Sequence, residues 1–202
     1  MQDAIRHLKR RDPVLAAIID RVGDYRIQFR DPDFETLVKS IVYQQLSGRV
    51  ASVIFGRLAA AAADGGKLTP ACILKLRPAR MRSLGLSTQK TAYIRDLARH
   101  ARDGSILFEE LLELPDQDVI EQLTQVKGIG VWTAHMFLIF ALRRLDVLPT
   151  GDLGIRNAIR KAYGLPELPH PSEIEVMAER WRPYCTVASW YLWRSLEPNA
   201  NL

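Results

Sequence analysis

Two stretches of this chain carry residues whose types and spacing could do chemistry. The first is "LPTGD", which ends in Asp152 at the start of a predicted helical run. An aspartate there has an ordinary task, capping the first backbone amides of the helix. The helix that follows carries Arg156, Arg160 and Lys161, and a cap needs no such basic surroundings. A carboxylate in that setting can also stabilise a developing positive charge or take a proton from water. The second stretch is "KGIGVWTA", residues 127–134, with two glycines one residue apart beside Lys127 and Trp132. A dinucleotide-binding loop would need GxGxxG after a strand. Here Thr133 stands at the third glycine position and the preceding "DVIEQLTQV" reads as helix, so that reading fails.

Two readings of the turn remain. Glycines can relieve strain in a tight connection between helices. In a helix-hairpin-helix they also let backbone amides approach a DNA phosphate, with the next helix N-terminus adding partial positive charge. Such contacts grip the DNA backbone and carry no sequence information.

The elements that must position these groups are helices. Asp12 and Pro13 open one that stops at Gly23, and Asp33 opens "DFETLVKSIVYQQL" with Phe34, Leu37, Val38, Ile41 and Val42 on one face. Ser47 precedes a helix ending in the pair Gly65 and Gly66. Thr69 and Pro70 open a short helix through Leu76, and "STQKTAYIRDLARHARDG" is a basic amphipathic helix after the turn "SLGL". "FEELLEL" is short, and "PDQDVIEQLTQV" leads into the glycine turn. Helices are predicted beyond it at 131–144, 152–163, 172–182 and 184–196. No segment alternates well enough to require a strand, so the chain is predicted to be all-α, with about ten helices.

Composition narrows the function classes. The 202 residues carry a net charge of +5, a mild preference for an anionic partner. Between residues 77 and 102 the basic side chains face a single carboxylate, Asp96, which suits either a solvated helix face or a surface that tracks phosphates. Two distant cysteines, Cys72 and Cys185, read as reduced thiols in a cytoplasmic protein, and an iron–sulfur cluster is excluded by their number. The four histidines have no ligand spacing, and neither a secretory signal nor a membrane-spanning run is present in the sequence.

Taken together, "LTQVKGIGVWTA" and "LPTGDLGIR" resemble the helix-hairpin-helix Gly/Pro–Asp superfamily of DNA glycosylases, and within it the 3-methyladenine DNA glycosylase II branch. "SIVYQQLSGRVA", "LGLSTQKTAYIRDLA" and "ERWRPYCTVASWYLW" extend the likeness over roughly residues 33–193. The resemblance implies one glycosylase domain over 1–202, built as two lobes with a DNA-binding cleft between them. Lobe one would comprise 1–32 and about 145–202, and lobe two about 33–144, with the hairpin at 124–134.

The resemblance also implies roles. Asp152 would be the catalytic carboxylate of a monofunctional enzyme that everts alkylated purines, such as 3-methyladenine and 7-methylguanine, and hydrolyses their N-glycosidic bond. Trp132 stands where bifunctional relatives have a Schiff-base lysine, so no strand cleavage is expected. Trp132, Trp193, Tyr43 and Met136 would line the base pocket, with Met136 where relatives can have an aromatic residue. Core packing is the competing reading of Trp132, and the favoured one of Trp190. Gln44, Gln45, Leu46 and Leu86 would enter the duplex, and Lys127, Gly128, Gly130 and Thr133 would hold a phosphate. The carbonyls of Thr124, Val126 and Gly128 would bind a structural Na+ or K+. The implied partner is double-stranded DNA with damaged bases, met by a monomer in a bacterial cytoplasm or nucleoid, with no membrane and no catalytic cofactor. The alternatives are an oxidised-base glycosylase/lyase of the same fold and a non-catalytic DNA-binding module.

Overall fold

The computed structural model describes residues 1–62 and 67–196. The glycine pair at 65 and 66 lies outside the described residues. Twelve α-helices occur among the described residues: α1 (Gln2–Arg11), α2 (Pro13–Val22), α3 (Phe34–Tyr43), α4 (Gly48–Ala62), α5 (Pro70–Lys75), α6 (Pro78–Ser83), α7 (Thr88–Arg102), α8 (Asp116–Thr124), α9 (Val131–Phe140), α10 (Leu153–Tyr163), α11 (Pro171–Ala178) and α12 (Cys185–Leu196). Short 3-10 turns occupy Glu110–Leu112 and Glu179–Trp181. The starts follow local chemistry. Side chains of Asp12, Asp33, Thr69, Ser87 and Asp152 accept backbone N–H groups at the heads of α2, α3, α5, α7 and α10.

The stops are less local. The helix predicted over 131–144 ends at Phe140. Arg143 then takes a left-handed φ of 58°, and the Arg144 N–H turns back to the Leu138 carbonyl. Left-handed helix ends usually hold glycine or asparagine. Here the Arg143 guanidinium lies 5.0 Å from the centre of the Phe29 ring instead. Helix α6, headed by Arg77 and Pro78, falls in a stretch for which no helix is predicted.

Residue contacts divide the chain into two compact units, 1–29 with 138–202, and 30–137, so the division falls inside α9. In unit 1, α12 packs on α10 and α2, and α1 packs on α2. Its core holds Leu8, Leu15, Ile159, Trp181 and Tyr191, together with Trp190. Trp190 meets Tyr25 edge-on at 4.8 Å between ring centres, as core packing requires. In unit 2, α7 is the hub, packed on α3, α5 and α6 through Ile94, Leu97 and Ala98.

One buried carboxylate organises unit 1. Asp12 is fully buried and accepts from Tyr163 Oη at 2.5 Å, Trp181 Nε1 at 2.8 Å and the amides of Val14 and Leu15. Burial pushes its pKa up, but bonds from Tyr163, Trp181 and Leu15 and the charge of Arg180 outweigh that and hold it below the usual carboxylate value. Replacing Asp12 with alanine strands the Tyr163 and Trp181 donors inside the core. The expected loss is about 2–4 kcal/mol in urea denaturation at pH 7. A lowered folded pKa adds stability above the unfolded value of about 4, and loses it as pH falls through the folded value. Asp12→Asn should therefore lose less stability between pH 5 and about 3 than the unaltered protein.

Candidate active site and DNA-contacting turn

Unit 1 holds the carboxylate. The turn before it is closed by the Asp152 N–H on the Pro149 carbonyl, 2.9 Å. Asp152 then caps α10, its Oδ1 accepting from the Ile155 N–H at 2.8 Å. The same oxygen accepts from Trp193 Nε1, also at 2.8 Å. Trp193 stacks on Phe140, with ring centres 6.1 Å apart and planes inclined by 23°. Capping and catalysis are thus not competing readings of Asp152. The cap fixes one end of the side chain and the indole fixes its rotamer. Gly154 makes room for this, because a Cβ there would lie 2.9 Å from Asp152 Oδ1 and 3.1 Å from Trp193 Cδ1. The sequence reading missed Gly154, whose only signal is its place two residues after the carboxylate in "GDLG". Arg156, expected to enrich the basic setting, is turned away to the Pro169 carbonyl at 3.0 Å.

Unit 2 holds the turn, and its two glycines do different things. Gly128 has a φ of 85°, and a Cβ on it would meet the Tyr93 ring at 2.1 Å. Its bareness serves internal packing. Gly130 is exposed, with nothing near its Cβ position, and it leads directly into α9, where Val131 and Trp132 are half exposed. The open approach to backbone amides therefore lies at Gly130. The Lys127 N–H is held by Asp96 Oδ2 at 3.0 Å, while its side chain is exposed. A cavity of about 270 Å³ beside it is lined by Arg82, Arg95, Arg99 and Lys127 together with the Asp96 carboxylate.

Several expected roles need correction. Thr133 lies in the first turn of α9 and is buried, so only its backbone, not its side chain, belongs to the exposed head of that helix. Leu86 is also buried, 4% exposed, as is usual for leucine, where the resemblance implies a side chain that enters the duplex. Arg95 donates to the Leu76 carbonyl at 2.7 Å and to those of Ile73 and Leu74, closing the end of α5 rather than tracking phosphates. Helix α3 ends at Tyr43, before the expected Leu46. The cause lies on α7, where Lys90 Nζ donates to the carbonyls of Val42 at 2.7 Å and Gln44 at 2.6 Å. Burial lowers the pKa of this ammonium. The Gln44 side chain turns inward to the Gly128 carbonyl at 2.9 Å, leaving Gln45 and Leu46 as the exposed pair. Tyr43 and Met136 are half-buried in unit 2.

Two of the carbonyls expected to bind a cation are engaged in hydrogen bonds. The Gly128 carbonyl accepts from Gln44 and the Val126 carbonyl from the Ile129 N–H, which leaves each oxygen one further lone pair. Among the described residues no group of three His, Cys, Asp or Glu could hold a metal ion, and no helix is long and apolar enough to cross a membrane. Cys72 and Cys185 are buried free thiols.

Helices throughout the described residues, a glycine hairpin and a helix-capping aspartate after a Pro-Thr-Gly turn define a class, and comparison with known proteins agrees. Residues 38–183 match the HhH-GPD superfamily of base excision DNA repair proteins, and the chain belongs to that superfamily. It is 36% identical over 194 residues to DNA-3-methyladenine glycosylase 1 of Schizosaccharomyces pombe, covering 94% of this chain and 85% of that protein. The structure of the S. pombe 3-methyladenine DNA glycosylase with abasic DNA superposes with a TM-score of 0.83 at 35% identity, covering 95% of each chain. That of a DNA-3-methyladenine glycosidase from Bacillus halodurans gives 0.88 at 36% identity, covering 96% of this chain and 89% of that one.

Proposed function

We propose that this protein is a monofunctional DNA glycosylase of base excision repair that releases alkylated purines such as 3-methyladenine and 7-methylguanine. The observation that carries the reading is Asp152, held by Ile155 and Trp193 in a chain that shares more than a third of its residues with a 3-methyladenine glycosylase along most of its length. Breaking the C1′–N bond sends its electron pair to the base and builds oxocarbenium character on the deoxyribose. An N3- or N7-alkylated purine is cationic, so that pair neutralises it and no strong general acid is needed. The Asp152 carboxylate stabilises the sugar cation and orients the water whose oxygen bonds to C1′, and it accepts the proton that water loses. One carboxylate suffices, in contrast to the pair of an O-glycosidase.

Trp132 supports substrate choice and the absence of lyase chemistry. An indole cannot form a Schiff base, and its half-exposed face can meet a cationic base for about 1–2 kcal/mol. Gly130 and the head of α9 receive a backbone phosphate, and Gln45 or Leu46 fills the gap left by the everted nucleotide. The test is release of bases from methylated duplex DNA followed by an assay for strand nicking. Free 3-methyladenine with intact strands is expected. Oxidised-base release with nicking would favour a glycosylase/lyase, and tight binding with no release a non-catalytic module.

A further inference from the structure

One face of α7 reaches both segments of unit 2 that the glycosylase reading sets against DNA. Lys90, Tyr93 and Asp96 are spaced three apart and so lie along one side of the helix. Lys90 holds the end of α3 through two carbonyls, 2.6 and 2.7 Å from its ammonium. Tyr93 lies against Gly128, and Asp96 holds the Lys127 N–H at 3.0 Å. Gln44 closes the circuit, its amide donating to the Gly128 carbonyl at 2.9 Å. Between these fixed points Gln45 stands at a φ of 57°, a left-handed conformation uncommon for a residue with a side chain. Its neighbours hold it there, since nothing about glutamine favours it.

We propose that Lys90 and Gln44 are positioning residues that lock the Gln45–Leu46 turn to the hairpin, so that gripping a phosphate and filling the duplex gap occur as one event. This rests on the glycosylase reading. A wedge displaced from the hairpin would no longer meet the gap while the strand is held. The loss should fall on base eversion and spare general affinity for DNA.

The test compares Lys90→Met, Lys90→Arg and Gln44→Ala in the full chain. The substrates carry 7-methylguanine paired with cytosine, or 7-methylguanine opposite an abasic site, where eversion meets less resistance. Lys90→Met and Gln44→Ala should slow single-turnover release at least tenfold on the paired substrate and less than threefold on the unpaired one. Lys90→Arg, which keeps the charge and the donors, should recover most of the loss. A duplex with a tetrahydrofuran abasic analogue beside 2-aminopurine gives a readout independent of catalysis. Wild-type protein should change its fluorescence, and the two disabled variants should bind the same duplex within about threefold while giving less than half that change. Equal losses on both substrates, no loss on either, or a wild-type fluorescence response in both variants would overturn the coupling. Failure of the unaltered protein to release base, with its fluorescence change intact and lost in the variants, would strike the glycosylase reading and leave the coupling standing.

Discussion

Asp152→Asn is expected to slow base release by about three orders of magnitude while the protein stays folded and keeps its DNA affinity within about twofold. The structure makes this substitution unusually clean. An asparagine Oδ1 can accept the same two donors, the Ile155 N–H and Trp193 Nε1, so the cap of α10 and the rotamer both survive. What disappears is the negative charge. Opposite charges about 4 Å apart at an effective dielectric near 20 attract by about 4 kcal/mol. Removing that from the transition state alone slows the reaction by almost three orders of magnitude. Single-turnover release from methylated duplex, with a melting curve and a binding titration on an abasic analogue, measures all three quantities. Turnover near the unaltered rate would remove Asp152 from the chemistry.

Gly154→Ala should be the second most damaging change at this site, although nothing about alanine offends the backbone. Gly154 lies in the first turn of α10 and takes no left-handed φ, and alanine is the better helix former by about 1 kcal/mol. The added methyl would sit 2.9 Å from Asp152 Oδ1 and 3.1 to 3.3 Å from the Trp193 indole, so the carboxylate or the indole must move. The expected result is a protein no less stable than the original that releases base at least tenfold more slowly. Misplacement of a reacting group by about 1 Å can cost on the order of a hundredfold. Trp193→Phe tests the same link from the other side. It keeps a ring to stack on Phe140 but removes the N–H, and a loss of similar direction is expected. If both variants release base at the original rate, the Trp193 bond plays no part in placing Asp152.

What the sequence made legible was what local chemistry controls. Helix heads at Asp12, Asp33, Ser87 and Asp152 follow from a short polar side chain before an apolar run, and all four form. The end of α3 and the end of α9 do not follow, because one is imposed by Lys90, 48 residues away from Val42, and the other by a left-handed Arg143 under no glycine signal. The site divides in the same way. Asp152 and the exposed Gly130 could be found in short motifs, whereas the reasons that Gly128 and Gly154 are bare, Tyr93 in one case and Trp193 in the other, lie far along the chain. Leu86 shows the two readings side by side: the resemblance implies entry into a duplex, the ordinary habit of leucine implies burial, and in unit 2 it is buried.

The ring of Tyr93 lying where a Cβ of residue 128 would be has a thermodynamic consequence for binding. A loop braced from inside has already surrendered its conformational freedom when the chain folds, so little further ordering is required when a strand arrives. Association then draws on modest attraction without a compensating loss of loop entropy. Pre-ordering of this kind lowers the entropic cost of association without adding a contact.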